Sequence, residues 1–162
     1  MTNEDPILVK NMSLINLGCK PCTALHGAKI TEKNIILWQW KDKTTSCWCG
    51  WTSDNIHVRN LDELSKQDAL VIKYKGEATG NPPYQVKFVD EEGHASNLVD
   101  FNNEKYISSK DNNGVRTVKI PLKDFNMNIT MNPKKVTNIQ FDAGWNSTRG
   151  KIEIFEIKLV TH

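Results

Sequence analysis

Apolar residues along much of this chain recur with a period of two. In segment 116–122 the residues Val118, Ile120 and Leu122 share one parity, and in segment 136–142 the same holds for Ile139 and Phe141. No segment carries a sustained apolar stripe at helical spacing, and the best helix candidate, 60–66, is only about two turns long. Because a parallel sheet would need crossover helices, the pattern predicts an all-β, single-domain antiparallel β-sandwich with little helix.

The individual strands can be placed from the same alternation and from the turn residues between them. The predicted strands are 69–75, 84–90, 116–122, 136–142 and 151–160. We expect the first two to be adjacent antiparallel strands, and segment 103–114 to be a solvated loop. The apolar parity of the last strand changes near Phe155 and Glu156, which predicts a β-bulge there.

Composition narrows the class of protein. At 162 residues and 38% hydrophobic content, the chain suits one domain, and a formal charge of +2 with both signs interspersed argues against nucleic acid as a partner. Its apolar runs are far shorter than the roughly 18 residues of a membrane span. The start of the chain has no positively charged region followed by an apolar stretch, so we expect an excised module of a longer parent protein.

Four of the five tryptophans, Trp38, Trp40, Trp48 and Trp51, fall between residues 38 and 51. A flat indole offers a large, stiff apolar face that suits a sugar ring, and its N–H can serve a ligand oxygen. Tryptophan is equally common in cores. In a strand, Trp38 and Trp40 point to the same side, so a binding platform and a core plug remain equally open.

The four cysteines form a C-x-x-C pair, Cys19 and Cys22, followed by a C-x-C pair, Cys47 and Cys49. Four thiolates could close a tetrahedral zinc site, although C-x-C departs from the usual spacing. Disulfides between the two pairs fit better, because Cys47 and Cys49 would share one face of a strand. Disulfides would imply an oxidising, extracellular compartment.

Sequence motifs for catalysis are missing. There is no G-x-S-x-G elbow and no H-E-x-x-H spacing, and the adjacent carboxylates of segment 90–92 lie at a predicted turn, where charges are usually solvated. We therefore expect a protein that is not an enzyme.

The order of motifs resembles a known group of proteins. Segments 64–76, 84–90, 118–125, 136–144 and 150–160 are similar in order and spacing to the strands of jelly-roll, galactose-binding-like carbohydrate-binding modules of plant cell-wall-degrading systems. The resemblance covers about two thirds of the chain and implies a secreted, non-catalytic module, appended to a glycoside hydrolase or cellulosome-type system. It would bind a β-glucan, cellulose or mannan type of polysaccharide. The alternative is a protein-interaction β-sandwich with no glycan ligand.

The resemblance also implies where a glycan would bind. Aromatic side chains would stack on sugar rings, and outward polar side chains of one sheet would bond sugar hydroxyls. Trp145, which follows a predicted strand in a Gly-Trp-Asn-Ser turn, would overhang that face. The predicted ligand-binding residues are Trp38, Trp40, Trp48, Trp51, Tyr84, Gln85, Lys87, Arg116, Gln140, Asp142 and Trp145.

No cofactor is required by this interpretation, but modules of this kind often carry a structural calcium near the chain ends. Glu4 or Asp5 together with Glu156 could supply hard oxygen ligands for it.

Overall fold

The computed structural model describes residues 2–54 and 56–162. It contains twelve strands, with two short 3-10 helices and one four-residue α-helix, α1 (Met127–Thr130). The strands are β1 (Asn3–Pro6), β2 (Ser13–Lys20), β3 (Leu25–Ile30), β4 (Ile36–Lys41), β5 (Trp48–Asp54), β6 (Ala69–Ala78), β7 (Gln85–Asp90), β8 (Val99–Asp100), β9 (Ile107–Lys110), β10 (Arg116–Pro121), β11 (Val136–Ala143) and β12 (Gly150–Thr161).

The strands form two antiparallel sheets. A seven-stranded sheet has the order β3-β4-β12-β6-β10-β9, with β1 paired to β12, and a five-stranded sheet has the order β2-β5-β11-β7-β8. The predicted fold class, an antiparallel β-sandwich with little helix, is confirmed. No helix of the described residues is long and apolar enough to cross a membrane.

Alternate residues of each strand point between the sheets and form one core. Ile72, Val118 and Ile154 come from the seven-stranded sheet, while Phe88 and Phe141 come from the five-stranded sheet; all five are fully buried. Alternation therefore leaves a second, outward set of side chains on each sheet, and these sets determine what the two outer faces can bind.

The long strand β12 carries the predicted bulge. Its register against β6 shifts between Ile154 and Glu156, so Ile154 and Ile157 both point into the core although their sequence parity differs.

Two expectations about local structure are wrong, and the best helix candidate does not form a helix. Strands β6 and β7 are not neighbours but belong to opposite sheets, because β6 pairs with β10 and β12. Segment 60–66 is not helical, since Leu61 N–H donates to the Pro133 carbonyl and the Asn60 side chain accepts from Asp62 N–H, 3.0 Å away. Segment 103–114 contains a 3-10 turn, Glu104–Tyr106, and the strand β9.

Two disulfides connect the C-x-x-C pair to the C-x-C pair. Cys19 bonds Cys49, and Cys22 bonds Cys47, with no free cysteine among the described residues. Cys19 lies directly opposite Cys49 in the register of β2 and β5, so this bridge joins the edge strand β2 to its neighbour. The Cys22–Cys47 bridge links the segment that follows β2 to the segment that precedes β5. The structure thus contradicts the zinc alternative and supports the disulfide alternative.

The carboxylates considered for calcium have cationic partners in the fold. Lys158 Nζ lies 3.1 Å from both Glu4 Oε1 and Glu156 Oε1, and Asp5 pairs with Arg59. The part of the chain that the structure describes holds no group of three metal-ligating side chains. The Lys158 ammonium therefore neutralises part of the charge of Glu4 and Glu156, and calcium binding at these carboxylates stays a prediction.

Candidate functional site

Outward side chains of the five-stranded sheet form a polar surface bordered by one indole. We call this surface the five-strand face. Its residues are Trp48, Thr52, Gln85, Lys87, Asp100, Gln140 and Asp142. Four of the polar residues predicted to bind sugar therefore lie together on one face of one sheet, although they come from strands far apart in the sequence.

The strand register arranges these side chains in cross-strand rows. Asp142 lies opposite Gln85, and Gln85 lies opposite Asp100. In the next row, Thr52 lies opposite Gln140, which lies opposite Lys87. Neighbouring strands lie about 4.8 Å apart, so each row presents a donor or acceptor at about that interval across the sheet.

Gly50 makes room for the aromatic part of the face. A Cβ built on Gly50 would overlap Asp142 Oδ1 and would lie 3.0 Å from the Phe141 carbonyl and 3.1 Å from the Trp48 ring. The indole of Trp48 and the carboxylate of Asp142 thus meet over a backbone that carries no side chain. This places a flat apolar surface directly beside a hydrogen-bond acceptor, the pairing that a sugar ring requires.

Asp142 is largely buried at the base of this contact. Burial raises the pKa of the Asp142 carboxyl, while the Gln140 amide and the Lys87 charge oppose that rise. Gln140 Nε2 donates to Asp142 Oδ1 over 3.1 Å, and Gln85 Nε2 donates to Asp100 Oδ1 over 2.8 Å. The carboxylates therefore hold the amides in place, while lone pairs on both remain for a ligand hydroxyl.

A buried lysine stabilises the loop that precedes Trp48. Lys43 is buried, and its Nζ donates to the carbonyls of Thr44 and Cys47, each at 2.7 Å. Burial lowers the pKa of the Lys43 amine. With the Cys22–Cys47 disulfide, these bonds fix the chain one residue before Trp48.

Trp145 lies at the same end of the sheet. It follows β11 in a turn in which Ser147 N–H donates to the Gly144 carbonyl, and Asn146 N–H donates to the Thr45 carbonyl of the loop before Trp48. Its side chain is 47% exposed. Trp48 begins β5 and Trp145 follows β11, so the two tryptophans with accessible surface lie where the paired strands β5 and β11 meet at one end of the sheet.

The remaining predicted aromatic residues are core residues, so this part of the prediction is wrong. Trp38, Trp40 and Trp51 are at most 1% exposed. Trp51 stacks on Phe141 with ring centroids 4.6 Å apart, and Trp38 contacts Trp40 edge to face. They point inward because they share the parity that faces the opposite sheet.

Tyr84 and Arg116 are also displaced from the predicted site. The Tyr84 ring is buried against Gly76 and lies edge to face with Tyr74. Arg116 belongs to β10 of the other sheet, opposite Tyr74, and does not share a face with Gln85 and Lys87.

Two residues of the five-strand face were missed by the sequence analysis. Thr52 has the same strand parity as Trp48, which could have identified it once β5 was recognised as a strand. Asp100 lies in β8, a strand of only two residues, and no sequence pattern indicates so short a strand.

Comparisons with known proteins give a family for this fold. The family model described as Carbohydrate binding domain 30 matches residues 24–161. A search of curated proteins finds no match.

Solved structures share the fold at low sequence identity. A crystal structure of a family 30 carbohydrate-binding module is 17% identical, with a TM-score of 0.56, over 98% of this chain and 87% of that one. A family 11 carbohydrate-binding module from Clostridium thermocellum, in complex with a β-1,3-1,4-mixed-linked tetrasaccharide, is 16% identical, with a TM-score of 0.52, over 96% and 94% of the two chains. PfGH50B is 11% identical with a TM-score of 0.56; the match covers 98% of this chain but only 23% of that one.

Proposed function

This chain belongs to the carbohydrate binding domain 30 family of non-catalytic binding modules, and from that premise we propose that it binds a β-glucan type of plant cell-wall polysaccharide along the five-strand face. The observation that carries the proposal is the meeting of Trp48 with Asp142 over Gly50, at the end of two rows of polar side chains. One sugar ring would stack on the indole while neighbouring hydroxyls bond to Asp142, Gln85 and their row partners.

The polar rows suit a neutral, hydroxyl-rich ligand. Amides and carboxylates provide donors and acceptors side by side, which matches the mixed hydrogen bonding of sugar hydroxyls. Lys87 is partly buried and lies on β7 opposite Gln140, two residues from Gln85, where it can donate as well. A β-glucan is favoured over mannan because a structural neighbour of family 11 was solved with a mixed-linked β-glucan tetrasaccharide.

We place the protein outside the cell and beside a catalytic partner. Its two disulfides suit an oxidising compartment. The PfGH50B neighbour, of which this chain spans 23%, supports a module attached to a larger enzyme.

Affinity gel electrophoresis against soluble mixed-linkage β-glucan, xyloglucan, galactomannan and xylan tests the proposal, with a pull-down on insoluble cellulose beside it. We expect retardation by β-glucan and at least a tenfold weaker association for Trp48→Ala, since tryptophans at the centre of a binding site are typical hot spots. Trp145→Ala tests the second exposed indole in the same gel.

A pair of lysine variants provides the control. Lys87→Ala removes a donor of the five-strand face, whereas Lys119→Ala removes an exposed lysine from β10 of the other sheet. Only Lys87→Ala should weaken retardation. Uniform mobility of the folded wild-type protein across all glycans would contradict the proposal and favour a protein-interaction module.

A further inference from the structure

The outer face of the other sheet contains a second concave site. A cavity of about 630 Å³ lies at one end of strands β3, β4, β12 and β6. One cross-strand row runs through it, in which Gly27 lies opposite Gln39, Gln39 opposite Lys151, and Lys151 opposite Glu77. This row is on the opposite side of the sandwich from the five-strand face, so the two surfaces can be occupied independently.

The missing side chain of Gly27 makes part of this outer face concave. Gly27 leaves a gap in the row on the edge strand β3, and a Cβ built there would meet no atom within 4 Å. Beneath the neighbouring Gly150, the buried Trp40 indole fills the space that a side chain would need, and Trp40 Nε1 donates to Ser147 Oγ over 3.1 Å. The floor is therefore packed and rigid, whereas the space above Gly27 is open.

The walls of the cavity are cationic. Lys41, Lys151 and Arg149 border it, against a single carboxylate from Glu77. Among the described residues, Lys41 and Arg149 have no carboxylate within ion-pair distance, and Lys151 reaches only Glu153, 3.9 Å away. Charges of one sign around a concavity reinforce one another and attract an oppositely charged ligand.

The next cross-strand row adds positive charge beside the cavity. Lys29 lies opposite Leu37, Leu37 opposite Glu153, and Glu153 opposite Lys75, which places two more lysines on the same outer face with one carboxylate between them. Trp40 is the one tryptophan or tyrosine that borders the cavity among the described residues, and its side chain is buried, so it offers no exposed ring for stacking. Recognition here would therefore depend on charge and hydrogen bonds rather than on stacking, unlike recognition at the five-strand face.

We propose that this cavity is a second saccharide site, which binds a sugar residue that carries an anionic group, either a uronate carboxylate or a sulfate ester. Arg149 offers a planar fork for two oxygens of such a group, and Lys41 and Lys151 add charge beside it. Gln39 and Glu77 lie in the same row and bond to the remaining hydroxyls. The family assignment contributes only that the ligand of this cavity is a saccharide. Binding in the cavity does not depend on glycan binding at the five-strand face.

The test compares charged probes with uncharged counterparts by isothermal titration calorimetry at low ionic strength. Oligogalacturonate is compared with its methyl ester, and a sulfated galactan oligosaccharide with the unsulfated galactan. We expect at least one charged probe to bind and its uncharged counterpart to bind at least tenfold more weakly. Binding of the uronate probe alone identifies a carboxylate site, and binding of the sulfated probe alone identifies a sulfate site.

A variant pair separates the cavity from general surface charge. Lys41→Gln combined with Arg149→Gln removes two cations from the cavity, and Lys110→Gln combined with Lys119→Gln removes two exposed lysines from β9 and β10 of the same sheet. All four positions are exposed, so both double variants should fold, as thermal unfolding will verify. The cavity variant should lose at least tenfold in association constant and the control less than twofold.

Gly27→Glu provides an independent variant, because it places a negative charge in open space on the cavity floor; it should weaken binding of the charged probe to a similar extent. Equal loss in the cavity and control variants would overturn the proposal, as would a charged probe that binds no better than its uncharged counterpart. Trp48→Ala serves to separate the two proposals: it should weaken β-glucan binding at least tenfold and leave binding of the charged probe unchanged.

Discussion

Two outward-facing glycines, Gly50 and Gly27, should respond in opposite ways to the same substitution. Neither has a positive φ, so alanine is sterically allowed by the backbone at both positions. At Gly50 the new methyl group would overlap Asp142 Oδ1 and crowd the Trp48 ring at 3.1 Å, whereas at Gly27 it would meet nothing within 4 Å. The contacts of the new methyl group therefore decide whether each substitution stabilises or destabilises the fold.

The magnitudes follow from two opposing contributions. Replacing a strand glycine by alanine stabilises a fold by about 0.5–1 kcal/mol, because the unfolded chain loses freedom. Overpacking costs about 1–3 kcal/mol. We therefore expect Gly50→Ala to lose up to about 2.5 kcal/mol and Gly27→Ala to gain about 0.5–1 kcal/mol. For a domain of this size, each kcal/mol shifts Tm by about 2–4 °C.

Differential scanning calorimetry of the oxidised protein measures both shifts. Gly50→Ala should also bind β-glucan more weakly, since the methyl group displaces Trp48 or Asp142, and Gly27→Ala should bind it like the wild type. If Gly50→Ala were as stable as Gly27→Ala, the close meeting of Trp48 and Asp142 over Gly50 would be refuted.

Two further predictions concern the core. Burial lowers the pKa of His26 from 6.5 to about 4, and its Nε2 accepts from Trp38 Nε1 over 2.9 Å. The unfolded chain therefore binds a proton between pH 6.5 and pH 4 that the folded protein does not. Stability should fall over this range by about 1–2 kcal/mol, less than the full pKa shift would give, because the ring is only partly buried and solvent screens its charge. His26→Gln keeps an acceptor but does not titrate, so urea unfolding at several pH values should show a shallower decline than for the wild type, and equal slopes would refute the assignment. Trp51→Ala should cost about 3–5 kcal/mol in urea unfolding because it empties a fully buried site stacked on Phe141, while Trp48→Ala should cost about 1 kcal/mol or less; similar losses would contradict the division into core and surface tryptophans.

The sequence predicts which residues share a face but not which face is the core. Trp38 and Trp40 alternate with the polar Gln39 and Lys41, so their common direction was evident. Whether that direction meets another sheet or solvent depends on strands far along the chain. The sequence therefore predicts that these tryptophans share one side of a strand. Their burial depends on the second sheet of the sandwich, which the local sequence does not indicate.

Strand pairing shows the same limit. The alternation within β6 and β7 was visible, but they lie in opposite sheets because β6 inserts between β10 and β12. Local signals carry no information on such distant pairings. Conversely, outward parity and polar chemistry predict one surface for Gln85, Lys87, Gln140, Asp142 and Arg116. The register of β7 against β11 brings the first four together, whereas Arg116 lies in the other sheet.

Glycan binding on the five-strand face can be observed residue by residue in an NMR titration of the ¹⁵N-labelled protein with a mixed-linkage β-glucan oligosaccharide, in which the indole N–H signals of its five tryptophans are followed. We predict that Trp48 and the side-chain amides of Gln85 and Gln140 shift with the ligand, while the buried Trp38, Trp40 and Trp51 signals stay nearly constant. Shifts confined to Gln39 and its neighbours on the other sheet, or no shift at saturating oligosaccharide, would contradict glycan binding on the five-strand face.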